Sequence, residues 1–413
     1  MPVTLNTRAF AQTENAQVSR VAQMRPVHEA FAWFRSNENE LRRIQMELLR
    51  VPAPPFGEMK RAEWLRDRFV QLGLQEVEID KIGNVTGLRR GADPKAKLLA
   101  LTAHIDTVFP AGTPLNPRLE GNKIFGPGAS DNGAGVMGLY AVAAALKAYP
   151  VKHTAGVLFV GNVGEEGEGD LRGVRYLFTE SKWASRIGPT VVIDGSGTDT
   201  VVTQALGSRR FEVTVRAPGG HSWSDYGMPN PIVILARAIA QFASTPVPTD
   251  PRTSLNIGVI QGGTSVNSIP ESAQMRVDIR SASTAEIDRL EKVLRDLVAD
   301  AVRTQQAIRA RKQIVSYEIK EIGERPAADL KPDARILGVI RAVDTLLSLP
   351  SETRRASTDA NVPLAMGREA ISIGAGGTGG GAHSLNEWFD ATGRDLGLKR
   401  IYLTTLTLSG VSE

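Results

Sequence analysis

The sequence predicts an α/β fold, a mostly parallel β-sheet flanked by helices, with an inserted α+β domain. Short apolar runs alternate with helical patterns along the chain, as in 98–103, the helix 133–146 and 157–163. Further apolar runs at 191–193 and 371–373 add two strands. Strands that alternate with helices indicate a parallel sheet covered on both faces.

A second region, between about residues 209 and 323, has a different pattern, with strands in which apolar and polar residues alternate. Its predicted strands are 211–216, 254–260, 274–279 and 314–322, and its predicted helices are 231–242 and 287–301. The order strand, helix, strand, strand, helix, strand is that of ferredoxin-like domains. We therefore predict an N-terminal extension (1–36), a main domain in two parts (37–207 and 326–413) and an inserted domain (208–325).

Composition limits the chemistry that is available. The 413 residues are 42% hydrophobic and 23% charged, which is ordinary for a folded globular protein. The formal net charge is +4 and the basic residues are scattered, so we expect no nucleic-acid partner. Because the chain has no Cys, a metal ion would have to be held by imidazole and carboxylate groups.

Membrane and export signals are weak. No apolar run approaches the roughly 18 residues that a spanning helix needs, so we expect no membrane association. Residues 1–7 contain no apolar core of a signal peptide. We expect a cytoplasmic protein, or an exported one if the true start lies upstream.

Five chemically capable side chains follow predicted strands. His104, Glu165, Glu166 and Asp194 come at or just after the ends of apolar runs, and His383 lies beyond a glycine-rich segment that follows another. Ligands of open α/β sheets bind outside the carboxyl ends of the strands. We therefore expect these side chains to converge.

The segments around His104 and around Glu165 each carry side chains that are typical of metal-binding sites. His104 can bind a metal while Asp106 orients its second ring nitrogen, although a histidine that caps a loop is the alternative. Glu165 and Glu166 would repel each other unless a cation lay beside them. One could bind metal while the other takes a proton from activated water, and a solvated acidic loop is the alternative.

Asp131 and Asp194 have ordinary structural explanations when each is taken singly. Asp131 lies at the mouth of the predicted helix 133–146, where an N-cap Asp is common, but where a carboxylate can also reach two cations. Asp194 precedes Gly195 and by itself is more typical of a turn. The glycine-rich segment before His383 permits close backbone approach to a substrate carboxylate, or is simply a flexible loop.

Together these motifs resemble the co-catalytic zinc exopeptidases and deacylases, which include peptidase T, glutamate carboxypeptidase, carnosinase-type dipeptidases and acetylornithine deacetylase. The resemblance runs from about residue 41 to the end of the chain. It implies a zinc-exopeptidase-like catalytic domain, an inserted dimerisation domain and hence a homodimer. It also implies two divalent ions per chain, one held by His104 and Asp194, the other by Glu166 and His383, with Asp131 shared by both.

The same resemblance assigns roles to further residues. Glu165 would be the general base and Asp106 the support of His104. The sulfur-free ligand set suits Zn²⁺, with Mn²⁺ or Co²⁺ as alternatives. Gly379 and Gly380 of the glycine-rich segment are predicted to contact substrate.

Three residues of the inserted domain look like substrate contacts of this family. His221 in the segment 217–222 would contact the substrate or its developing oxyanion. Asn267 and Arg280 would bind the substrate's carboxylate, although a strand-end salt bridge is an equal alternative for Arg280.

The implied activity is metal-dependent hydrolysis of amide bonds, in which a hydroxide bridging the ions attacks and Glu165 passes its proton to the leaving amine. We expect a short peptide as substrate and exopeptidase action, of the dipeptidase, tripeptidase, aminopeptidase or carboxypeptidase type. An N-acyl amino acid deacylase with the same mechanism is the alternative. A non-catalytic metal- or ligand-binding protein is a remote one, which the presence of Glu165 disfavours.

Overall fold

The computed structural model describes residues 3–307 and 314–411. The chain divides into two compact units. Met1–Ala205 and Asp329–Glu413 form the first unit, and Leu206–Ala328 forms the second. The predicted inserted domain, 208–325, lies within the second unit.

The helices are α1 (Val3–Ala22), α2 (Arg25–Ser36), α3 (Glu38–Leu49), α4 (Met59–Gln71), α5 (Gly133–Ala148), α6 (Arg172–Thr179), α7 (Pro231–Ala243), α8 (Thr284–Ala307), α9 (Arg335–Leu346), α10 (Asn361–Ala365) and α11 (Arg394–Ser409). The strands are β1 (Gln75–Ile79), β2 (Val85–Arg89), β3 (Leu98–His104), β4 (Arg118–Glu120), β5 (Lys123–Phe125), β6 (Val157–Asn162), β7 (Ile187–Ile193), β8 (Thr200–Ala205), β9 (Gly207–Arg216), β10 (Gly220–His221), β11 (Thr253–Gly262), β12 (Ser268–Ile269), β13 (Ser272–Ser281), β14 (Ser316–Arg325), β15 (Ala328–Asp329), β16 (Glu352–Ala356), β17 (Ala370–Ile373), β18 (Thr378–Gly380) and β19 (Trp388–Asp390).

The main sheet of the first unit has the strand order β1-β2-β6-β3-β7-β17-β8-β15, and β16 pairs with β8. Neighbours among β6, β3, β7 and β17 are parallel, whereas β1 with β2, β2 with β6, and β17 with β8 are antiparallel. Four parallel strands therefore end at one edge of the sheet. The predicted mostly parallel α/β fold is confirmed.

Strand β3 shows why the strands of this sheet could be predicted from the sequence. Leu99 and Leu101 belong to the buried cluster that includes α5 and α11, whereas Leu98 and Ala100 belong to the cluster that includes α6. A strand buried on both faces is apolar at every position, so it appears as a continuous run. The run ends at His104, which is the last residue of the strand.

Helices α1 and α2, which lie within the predicted N-terminal extension, belong to this unit. Helices α1 and α2 pack against α9, α11 and α5. Val18, Val21, Val27 and Phe34 are fully or almost fully buried in the main cluster. The predicted N-terminal extension thus contributes to the core.

A small second sheet of the first unit has the order β18-β19-β5-β4. Its strand β18 takes up part of the glycine-rich segment, and Gly379 pairs with Phe389 and Gly380 with Trp388. The segment is therefore partly a strand, whereas the sequence indicated a loop. The reason is that glycine has little strand propensity of its own and takes its conformation here from the partner strand.

The second unit is a four-stranded antiparallel sheet of order β11-β13-β9-β14 with helices α7 and α8 packed against it. Side chains such as Phe211, Met275, Leu235 and Leu294 form its own buried cluster. The element order and the sheet match the predicted ferredoxin-like arrangement. Within residues 3–307 and 314–411, no helix combines the length and hydropathy needed to cross a membrane.

Candidate metal centre

The five predicted ligands come from five separate segments of the first unit. His104 ends β3, Glu166 follows β6, Asp194 follows β7, Asp131 precedes α5 and His383 lies between β18 and β19. The fold brings them together at the carboxyl edge of the parallel strands. His104 is 1% exposed and Glu166 is 5% exposed, whereas the side chain of His383 is 56% exposed. The cluster is therefore buried on the side of His104 and open to solvent on the side of His383.

The Asp131 carboxylate lies between two groups of atoms that could bind metal. Its Oδ1 lies 3.2 Å from Nε2 of His104, and its Oδ2 lies 3.1 Å from Nε2 of His383. Asp194 approaches His104 Nε2 to 3.8 Å on one side, and Glu166 approaches His383 Nε2 to 3.1 Å on the other. One oxygen of Asp131 therefore faces each group.

The donor set fits two divalent ions. Ligand atoms around a tetrahedral ion at about 2.0–2.1 Å are about 3.3 Å apart. His104, Asp131 and Asp194 offer atoms that all lie within 4.8 Å of one another, and so do Asp131, Glu166 and His383. Neutral imidazole and carboxylate are ligands that Zn²⁺, Mn²⁺ and Co²⁺ accept. The predicted division of ligands between two ions is compatible with this geometry.

The side chains of this cluster hold protons that a metal ion would displace. Burial lowers the pKa of His104, but the neighbouring carboxylates of Asp106, Asp131 and Asp194 outweigh burial and raise it well above 6.5. The hydrogen bond to Asp131 raises the pKa of His383 to about 9. Burial raises the pKa of Glu166 to about 7. Metal binding must therefore release protons here.

Asp106 connects the histidine to the glutamate pair. Its Oδ1 lies 3.6 Å from Nδ1 of His104, and its two oxygens accept the backbone N–H groups of Glu165 at 3.1 Å and Glu166 at 2.8 Å. Burial would raise the pKa of Asp106, but the contact with His104 holds it below its ordinary value. Asp106 thus anchors the segment that carries both glutamates.

Glu165 lies beside the candidate ligands. The side chain is 6% exposed, and its carboxylate, His104 and Glu166 offer atoms within 4.8 Å of one another. A base in this place is within reach of water held at the centre. Its role as general base stays a prediction.

The two predicted glycine contacts make close approaches within the protein. A Cβ on Gly379 would lie 2.2 Å from Oγ of Ser130 and 2.6 Å from Oγ of Ser196. A Cβ on Gly380 would lie 2.9 Å from the ring of Trp388. Glycine is therefore required so that β18 can lie against the serines next to the ligand segments, and the predicted substrate contacts remain predictions.

Residues His221 and Asn267 of the second unit lie on adjacent segments. The Nδ1 atom of His221 accepts the backbone N–H groups of Trp223 at 3.2 Å and Ser224 at 3.3 Å. A neutral imidazole held in this way carries its proton on Nε2, where it can be donated. The backbone N–H of Ser222 donates to the carbonyl of Asn267 at 3.0 Å, which joins the two segments.

Arg280 lies on β13 of the second unit and has a local partner. Its Nε donates to Oδ2 of Asp278 at 2.7 Å, and its side chain is 41% exposed. The salt-bridge alternative is therefore present in the structure. The substrate contact remains a prediction, which this ion pair neither requires nor excludes.

Comparison with known proteins supplies the family. Residues 100–406 match the model of peptidase family M20/M25/M40. The chain belongs to this family. Membership confirms the resemblance inferred from the motifs, and at the level of the family it confirms a hydrolase of amide bonds as the class of enzyme.

Relatives within reach of sequence comparison include enzymes of two kinds. A probable carboxypeptidase of Ajellomyces capsulatus is 30% identical over 240 residues, which cover 54% of this chain and 53% of that protein. A succinyl-diaminopimelate desuccinylase of Nitrosospira multiformis is 27% identical over 265 residues, which cover 60% of this chain and 68% of it. This chain thus spans about half the length of the carboxypeptidase that it matches.

A solved structure supports the fold of this M20/M25/M40 member. The Bacillus subtilis YXEP protein, described as a dinuclear metal binding peptidase, superposes with a TM-score of 0.67 at 14% identity. The match covers 91% of this chain and 99% of that one. At this identity the likeness bears on the fold alone.

Two residues that hydrogen-bond to the segments carrying Asp131 and Asp194 were not predicted from the sequence of this M20/M25/M40 chain. Asn132 is the N-cap of α5, so the N-cap explanation for Asp131 is wrong. Its Oδ1 accepts the N–H groups of Gly135 and Gly195, both at 3.0 Å, and its Nδ2 donates to the carbonyl of Ile193 at 2.9 Å. The Asp131–Asn132 peptide bond is cis. The preference of Asn for N-caps was the available signal.

Glu387 is the second missed residue. It is fully buried, and its carboxylate accepts three backbone N–H groups from the segment that contains Asp131. Burial raises its pKa to about 6. A single Glu before the aromatic pair Trp388-Phe389 carries no signal in the sequence that distinguishes it from a surface residue.

Proposed function

We propose that the chain is an exopeptidase that hydrolyses an amide bond of short peptides with the help of two divalent metal ions. The observation that carries the proposal is the Asp131 carboxylate, which offers one oxygen to each of two groups of metal donors beside Glu165. Two neighbouring metal ions can activate a water molecule for hydrolysis, and a base next to them can accept its proton.

His104 and Asp194 would hold one ion, Glu166 and His383 the other, and Asp131 both. When bound, the ions lower the pKa of water and polarise the amide carbonyl. Zn²⁺ is the proposed metal, with Mn²⁺ or Co²⁺ as alternatives, because the donors are nitrogen and oxygen only.

Residues of the chain do the remaining work. Glu165 accepts the proton of the attacking water and delivers it to the nitrogen of the leaving amine. His221 donates from Nε2 to the oxygen that gains charge in the transition state. Asn267, Arg280 and the backbone at 379–380 bind the free carboxylate of the peptide.

The direct test replaces Glu165 with Gln in metal-loaded protein. We expect two ions per chain by elemental analysis and a loss of turnover by orders of magnitude on dipeptides, because the amide cannot accept the proton. Glu168→Gln in the same segment, whose residue is exposed, is the matched control and should keep its turnover. Near-normal turnover of Glu165→Gln would refute the assignment.

An N-acyl amino acid deacylase is the second candidate, because the desuccinylase of Nitrosospira multiformis is similar over 68% of its length. Metal-loaded protein should be assayed against dipeptides, tripeptides and N-acetyl and N-succinyl amino acids. Preference for peptides supports exopeptidase action, and preference for acyl amino acids replaces it. Metal binding without turnover of any of them would favour the remote alternative, a non-catalytic metal-binding protein.

We also propose a homodimer formed through the second unit. Strand β11 is an edge of its sheet, and ten-residue edges are templates for pairing with another strand. Val259 and Ile260 on this strand and Ile232 and Val233 on α7 are 36–55% exposed. Light scattering should show a dimer that Ile260→Lys disrupts, whereas Tyr317→Lys on the opposite edge strand should leave the dimer intact.

We also propose a cytoplasmic location, which fractionation of cells would test.

A further inference from the structure

Glu387 gathers the segment that carries Asp131. Its Oε1 accepts the N–H groups of Ser130 and Asp131, both at 2.7 Å, and its Oε2 accepts that of Gly128 at 2.9 Å. The backbone carbonyl of Glu387 also accepts the N–H of Gly126 at 2.9 Å. One fully buried residue thus receives four N–H groups from a single turn.

The same residue lies close to His383. The N–H of Glu387 donates to the carbonyl of Ser384 at 3.1 Å, and Ser384 is bound in turn to the carbonyl of Gly381 through its N–H and its hydroxyl. His383 has φ 64, a left-handed conformation that residues with a Cβ rarely adopt. The backbone that presents His383 is therefore held in an unfavourable conformation by its immediate neighbours.

An ordinary capping role does not account for these contacts. The cap of α5 is Asn132, whose side chain binds the N–H of Gly135 in the first turn. The N–H groups that Glu387 accepts belong to the turn before that cap. Burying a carboxylate for this purpose is unfavourable unless its hydrogen bonds are complete, so all three bonds matter to this arrangement.

We propose that Glu387 is a positioning residue that fixes the Asp131 carboxylate relative to His383, so that the affinity for metal depends on a side chain that touches no ion. The proposal rests on the proposed metal centre, since it concerns two of its ligands. Residues that orient metal ligands typically change affinity 10- to 100-fold when replaced.

Titration of the full chain with Co²⁺ tests the proposal, with affinity and the visible absorption spectrum as readouts. In Glu387→Gln the side chain keeps its shape, but an NH₂ group replaces one acceptor and faces backbone N–H groups. We expect Co²⁺ affinity to fall about 10- to 100-fold with an altered spectrum. Glu387→Asp keeps the charge and should recover part of the loss.

The matched control is Asp344→Asn. Asp344 is a buried carboxylate of the same unit that accepts from Arg400 at 2.6 and 2.7 Å and contacts no predicted ligand. This variant should lower the melting temperature and leave Co²⁺ affinity within about twofold of the wild type.

Wild-type affinity and spectrum in Glu387→Gln overturn the proposal, whatever its melting temperature. If Glu387→Gln does not fold, Glu387→Asp decides in the same way, because an unchanged affinity in that variant also overturns it. A wild-type chain that binds no Co²⁺ overturns both this inference and the proposed function. Binding without hydrolysis of any substrate overturns the proposed function alone.

Discussion

In the first unit His104, Glu166 and Asp194 lie at or just beyond the ends of buried strands, whereas in the second unit His221 and Asn267 are exposed and Arg280 is half-buried on β13. His104 is 1% exposed and is held by Asp106 on one side and by Asp131 on the other. The Arg280 side chain is 41% exposed and pairs with a neighbour on its own strand.

The arrangement of the predicted ligands is therefore determined by contacts inside the first unit, whereas the predicted substrate contacts of the second unit require a bound substrate. The ligands contact one another within the first unit, so their arrangement is set before any substrate arrives. The contacts described above for His221, Asn267 and Arg280 are with residues of the second unit. We therefore expect losses in metal binding from the first unit and losses in turnover or substrate affinity from the second.

The largest effect should come from Asp131→Ala. Because each oxygen of Asp131 faces one group of donors, removing the carboxylate should remove both ions and reduce activity to background. Metal analysis and peptide turnover are the measurements, and Asp199→Asn on an exposed turn is the control. Retention of one tightly bound ion would show that Asp131 is not shared.

His221→Ala should have the next largest effect and a different signature. Loss of a donor to a developing oxyanion lowers kcat about 10²- to 10³-fold. We expect two ions per chain to remain, because no predicted ligand lies in the second unit. A loss of metal in this variant would contradict the separation of roles between the two units.

Metal affinity should depend steeply on pH. The pKa of His383 is raised to about 9, so below that pH the imidazole must release its proton before it binds metal. Apparent affinity should then fall at least about tenfold for each unit that the pH drops below 9, because His383 releases one proton and His104 and Glu166 add to the number displaced. Competition titrations between pH 6 and 8 measure the slope, and a pH-independent affinity would rule out this coupling.

The smallest effect is expected from Arg280→Ala. An exposed guanidinium that already shares its charge with Asp278 contributes little, so KM should rise roughly two- to fivefold. kcat and metal content should not change. A KM that stays constant would leave Arg280 with the ion pair as its whole role.

The sequence allowed the sheet and the candidate ligands to be predicted for the same reason. β3 and β6 are buried at every position and β7 over its last four residues, so each contains an apolar run whose end marks the carboxyl edge of the sheet. His104 and Asp194 were found by their position at those ends. The family resemblance then grouped them with Asp131, which alone looked like a helix cap.

What could not be predicted depends on contacts between distant parts of the chain. Glu387 binds the N–H of Asp131, a residue 256 positions earlier, and nothing near Glu387 in the sequence indicates this partner. Strand β18 was hidden because its glycines form a strand only against β19. Helices α1 and α2 were not predicted because their apolar residues are buried only through contacts with α9 and α11, which lie far away in the sequence.

The position of β17 bears on the order in which the units can fold during synthesis. This strand lies between β7 and β8 in the main sheet, yet the whole second unit separates it from them in the chain. The second unit is continuous and has all its strands once residue 325 has emerged. We therefore expect the second unit to fold on the ribosome before the sheet of the first unit is complete. Until β17 is inserted, the unpaired edges of β7 and β8 would be accessible to chaperones.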